Sequence, residues 1–110
     1  MYVYDQANNL AKSIQDSKEY TEYKKIKEEI QSIPDMKTKI DEFEKIRYEV
    51  QVMSFQGQTQ DEEKMKKLQE MYDILMKEPK IKEYFDIEVR FNIMLADVNK
   101  IISESVKDLL

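Results

Sequence analysis

From Lys80 to Leu110 the chain reads KIKEYFDIEVRFNIMLADVNKIISESVKDLL, with neither glycine nor proline, directly after Pro79. No other feature restricts the fold as strongly. Pro79 suits the first turn of a helix, where a missing N–H leaves no bond unmade. If wholly helical, the stretch is about 45 Å long at about 1.5 Å per residue. A turn of about 100° per residue sets Ile81, Tyr84, Phe85, Phe91, Leu95, Val98, Ile102, Val106 and Leu109 along one broad face, which Ile87, Met94 and Ile101 widen. A helix packed on a single neighbour needs an apolar stripe of roughly 100°. This face covers about 200° by the same step. The helix is therefore expected to meet shorter upstream helices on one side and a second copy, or another partner, on the other.

The rest of the 110-residue chain is equally poor in breakers, with one glycine and two prolines in total. With 41% hydrophobic residues at regular spacing, its 37% charged residues read as solvated helix faces rather than disorder. The expected fold is all-α: a single domain, residues 1–110, built as an antiparallel helical bundle of four to five helices with a long C-terminal helix. A domain of this size buries a modest share of its surface, so association is a cheap way to enlarge its core.

Cysteine and histidine are both absent. That removes zinc sites of Cys/His type, cysteine-ligated iron–sulfur clusters and Ser-His or Cys-His catalysis within one chain. No cofactor or metal is expected. A carboxylate metal site around Glu62 and Glu63 fits poorly, because helical di-metal sites generally use Glu-x-x-His pairs. The net charge is −5, and lysines and glutamates interleave, as in KEYTEYKKIKEEI. Direct nucleic-acid binding calls instead for basic residues gathered on one face. No apolar run spans a membrane, and MYVYDQANN does not read as a signal peptide. The location expected is the cytoplasm.

Local signals divide the chain. The first helix should cover Val3 to Gln15, with Tyr4, Ala7, Leu10, Ala11 and Ile14 as a narrow stripe and Asp5 favouring its N-terminal end. Asp16-Ser17 interrupts it, and Ser17 is a good N-cap for a second helix from Lys18 to about Gln31. The two could also form one bent helix. Tyr20, Tyr23, Ile26 and Ile30 face inward. Ser32 and Asp35 resemble a capping box ahead of a third helix from Pro34 to Gln56. Its inner face carries Met36, Ile40, Phe43, Ile46, Val50 and Met53, and Gly57 ends it in a left-handed conformation. Thr59 and Glu62 form a second capping box for a helix from Gln60 to Lys77, with Met65, Leu68, Met71, Tyr72, Leu75 and Met76 inward. Glu78-Pro79 closes it.

Polar residues inside apolar faces are the first candidates for function. Glu88, Asn92 and Asn99 project on the side of Phe85, Leu95 and Ile102. Arg47 sits between Phe43 and Val50, with Ser54 beyond it. A buried charge needs a partner, so Arg47 and Glu88 are expected to pair, within a chain or across a dimer, as a structural ion pair or around a ligand. A small enzyme with an anion pocket at Arg47 would need more inward cations than Arg47 and Arg90. Tyr48 and Phe55 align, seven residues apart, off the third helix's inner face. They are either an interface pair or a second covered side. Phe91, Leu95, Val98 and Ile102 complete the candidate interface. The methionines read as gap-fillers or as an adaptable docking surface.

In order, YDQANNLAKSI with Ser17 and Tyr20, FEKIRYEVQVMSFQG (Phe43 to Gly57) and EVRFNIMLADVNKII (Glu88 to Ile102) resemble the YlbF/YmcA/YheA family of small all-helical bacterial proteins, and the YheA-like branch in length and in the position of Gly57. The resemblance covers nearly the whole chain. It implies an α-helical fold with a long last helix, self-association, and a non-enzymatic role in a protein complex. Better-known relatives influence competence and biofilm formation, or assist messenger-RNA processing. An RNA-processing accessory subunit is the alternative reading. Iron–sulfur binding by cysteines, found in some relatives, does not carry over to a chain without cysteine.

Overall fold

A computed structural model of the chain describes residues 1–57 and 62–110. Those residues form five helices and no strand: α1 (Val3–Asp16), α2 (Lys18–Gln31), α3 (Pro34–Phe55), α4 (Glu62–Leu75) and α5 (Pro79–Glu104). The all-α class and the long last helix are as expected.

Helix boundaries follow local chemistry. Ser17 takes extended angles (φ −68°, ψ 152°), so α1 and α2 are separate helices. Its hydroxyl accepts the Tyr20 N–H at 3.1 Å and donates to the Ile14 carbonyl at 2.6 Å. One side chain thus satisfies an orphan donor of α2 and adds a second bond to the Ile14 carbonyl, which also accepts the Ser17 N–H at 3.1 Å. Ser32 behaves differently. Its hydroxyl donates back to the Glu29 carbonyl at 2.6 Å, and the residue before α3 is Ile33, with no side-chain cap. The capping box expected of Ser32 and Asp35 does not form. Pro34 suffices to start α3 because it has no N–H to satisfy. Gly57 (φ 68°) ends that helix in the left-handed region, its N–H bonded to the Ser54 carbonyl at 3.2 Å.

The ends of α1 and α3 fall within one residue of expectation, and those of α4 and α5 differ by more. Helix α4 stops at Leu75, because the N–H groups of Lys77 and Glu78 bond three residues back, to Ile74 and Leu75. Helix α5 stops at Glu104. There the Ser105 N–H is shared between the carbonyls of Ile101 and Ile102, and the Ser105 hydroxyl takes the Ile102 carbonyl at 2.6 Å. A serine that bonds its own preceding turn competes with the helix ladder. Val106 and Leu109 therefore lie outside the rod. The expected Thr59 cap, and Gln60 as the start of α4, lie outside the described residues.

The chain divides into two units, one of residues 28–83 and one of residues 1–27 with 84–110. In the first, α3 and α4 run antiparallel. Phe43 meets Tyr72 with ring centroids 6.2 Å apart, and Glu49 meets Lys64 at 3.3 Å. Lys80, at the start of α5, donates to Glu29 of α2 at 2.6 Å. The buried residues here are Ile30, Ile40, Phe43, Ile46, Leu75 and Ile81, the last fully enclosed at 0% exposure. In the second unit α2 and α5 run antiparallel. Tyr20 and Tyr23 meet Phe91 with centroids 6.4 and 5.1 Å apart, and Tyr23 meets Tyr84 at 5.8 Å. Ile26, Tyr84, Phe85, Ile87 and Glu88 are its buried residues.

Candidate functional site

Glu88 is the buried charged residue of the described chain, at 9% exposure. Tyr23 of α2 donates its phenol to Glu88 Oε2 at 3.1 Å. Burial pushes the Tyr23 phenol well above its ordinary range, and the neighbouring Tyr84 and Glu88 add to the rise. Lys27 places its ammonium 5.5 Å from the Tyr23 ring centre. The cluster holds a neutral donor against a carboxylate, which is how a buried acid is kept stable. Asn92 and Asn99, expected beside Glu88, are exposed. They lie one and three turns further on, where nothing covers that side of α5.

Arg47 is half-buried on α3. Its guanidinium donates to Glu44 one turn earlier and lies over the Phe43 ring, 5.5 Å from its centre. Glu88 and Arg47 each have a partner within their own unit, Tyr23 and Glu44 respectively. Two open grooves flank α3 and α4. One is lined by Lys39, Glu42, Met71, Ile74 and Leu75, the other by Glu42, Lys45, Ile46, Glu49, Lys67 and Met71. Arg47 lines neither. Tyr48 and Phe55 stand on the outer side of α3, exposed to 67% and 91%. Met65 and Tyr72 of α4, expected inward, are also exposed.

Many of the exposed apolar residues of the described chain lie towards its two ends. Helix α1 buries no residue at all, although Tyr4, Ala7, Leu10, Ala11 and Ile14 form the stripe its periodicity foretold. Beyond Glu88, no residue of α5 is buried either. Phe91, Leu95 and Val98 are half-covered, and Ile102 is exposed. Val89, Ile93 and Ile101 are exposed as well. Val89 and Ile93 fall outside the broad face read from the sequence. Their signal was that they interrupt a side of α5 that otherwise carries Arg90, Asp97, Lys100 and Glu104.

Among the described residues, no helix is long and apolar enough to cross a membrane. The structure is similar to a protein of unknown function (DUF964) from Bacillus stearothermophilus, with a TM-score of 0.84 at 15% identity, covering 97% of this chain and 94% of that one. In sequence, the chain is 34% identical over 102 residues to a UPF0342 protein of Halothermothrix orenii, covering 93% of this chain and 86% of that protein. It is 34% identical over 110 residues to a UPF0342 protein of Bacillus cytotoxicus, covering 97% and 92%. Residues 3–107 match the family described as "Control of competence regulator ComK, YlbF/YmcA". On that match, and on relatives aligned over nearly their whole lengths, this chain belongs to the YlbF/YmcA family.

Proposed function

We propose that the protein is a non-enzymatic interaction module of the bacterial cytoplasm. It acts as a homodimer, or as a subunit of a larger regulatory complex, by docking α1 and the distal half of α5 against a protein partner. One observation carries this reading: two amphipathic helices in one unit leave every residue of α1 and of positions 89–104 at best half-covered. The family description, control of a competence regulator, favours a regulatory role, and the lack of histidine and cysteine favours a role without catalysis. Charge in place of Ile93 and Ile101 tests the reading. The pure protein should scatter light as an assembly of two or more chains, and Ile93→Glu with Ile101→Glu should shift it toward monomer while keeping its helicity. An unchanged assembly would place the interface elsewhere.

A further inference from the structure

The exposed stripe of α5 has an internal symmetry. Arg90, Ile93, Asp97, Ile101 and Glu104 lie at −7, −4, 0, +4 and +7 about Asp97. At about 100° per residue they share an arc of about 80°, and about 21 Å of helix separates the outer pair. All five are exposed, Ile93 to 55% and Ile101 to 70%. Among the described residues, Arg90, Asp97 and Glu104 have no ion-pair partner. Arg90 makes only a long bond, 3.4 Å, to the Asp86 carbonyl of its own helix. The positions are palindromic, and the charges at the two ends are opposite.

We infer that the partner of this stripe is a second copy of the same chain, with the two α5 helices antiparallel and their two-fold axis at Asp97. This rests on the interaction reading above. About that axis Ile93 meets Ile101 of the second copy, and Arg90 meets its Glu104, each twice, as an isologous contact requires. A parallel, in-register pairing sets Arg90 on Arg90 and Glu104 on Glu104, so the charges select the direction. Asp97 then faces its own copy, a cost that Lys100, one turn away, partly offsets. A carboxylate at the centre weakens the contact and fixes its register.

Charge exchange is the test, read as the dimer dissociation constant from sedimentation of the full chain. Arg90→Glu and Glu104→Arg should each weaken the dimer about tenfold or more, because each makes two facing like-charge pairs. The double variant should return to within a few-fold of the parent, and Asp97→Asn should tighten the dimer. The chain has no cysteine, so cross-linking gives a second readout. Asp97→Cys should form a disulfide dimer with itself on mild oxidation, and Arg90→Cys should do so only when mixed with Glu104→Cys. A double variant that is weaker still, or Arg90→Cys that links to itself, overturns the antiparallel pairing while leaving a protein-interaction role intact. A parent chain that is monomeric throughout removes that role and this inference together.

Discussion

Ile81 follows Pro79 by two residues and is fully enclosed, so it anchors the start of α5 in its unit. Truncating a buried isoleucine removes transfer energy and leaves a cavity. Ile81→Ala should cost about 2–5 kcal/mol, measured as a lower urea midpoint with an unchanged slope. Tyr23 and Glu88 make a different kind of contact. Tyr23→Phe leaves the carboxylate without the phenol's bond and should cost about 1–3 kcal/mol. The same substitution carries a pH signature. Burial raises the folded-state phenol above its ordinary value of 10.0, so the folded chain holds that proton more tightly than the unfolded chain does. The stabilisation is fully present below pH 10 and is lost as the pH rises beyond it. Denaturation at about pH 8 and about pH 11 should show a stability loss that Tyr23→Phe reduces. Glu88 was legible as a buried acid because it interrupts an apolar face. Its partner was not, because 65 residues separate it from Tyr23 and periodicity carries no information on which faces meet.

At the level of the helices, the signals that worked act over a few residues. Ser17, Pro34, Gly57 and Pro79 each set a boundary through their own backbone or side chain, and all four could be read in advance. Ser32 shows where that reading stops. A serine beside a helix end can cap the next helix or bond the previous turn, and the proline at Pro34 removes the need for the first. Ser17→Ala should therefore cost about 0.5–2 kcal/mol, and Ser32→Ala less than about 0.5 kcal/mol, compared by thermal unfolding. The inner faces of α4 and α1 were read too generously. Amphipathic spacing says that a helix can bury a stripe, not that its own chain supplies the cover. Met65 and Tyr72 are exposed for that reason, as are Tyr4 and Leu10. The same ambiguity covers Tyr48 and Phe55, whose spacing fits either an open or a covered side, and the structure leaves them open.

For the whole molecule, the apolar surface of α1 and distal α5 is the central physical fact. Leaving it in water forgoes roughly 25 cal/mol for each Å² that a partner would cover. Its existence was legible from the 200° arc of the last helix, and its placement was only partly so. The arc foretold Ile101 and Ile102, whereas Ile93 and the palindromic charges around Asp97 emerge once one side of α5 is seen to be exposed after Glu88. The most direct test is sedimentation equilibrium of the unmodified chain from low to high micromolar concentration. The mass should rise to twice that of one chain, or more, and should fall when Ile93 and Ile101 are replaced by glutamate. A single-chain mass across the whole range would contradict it.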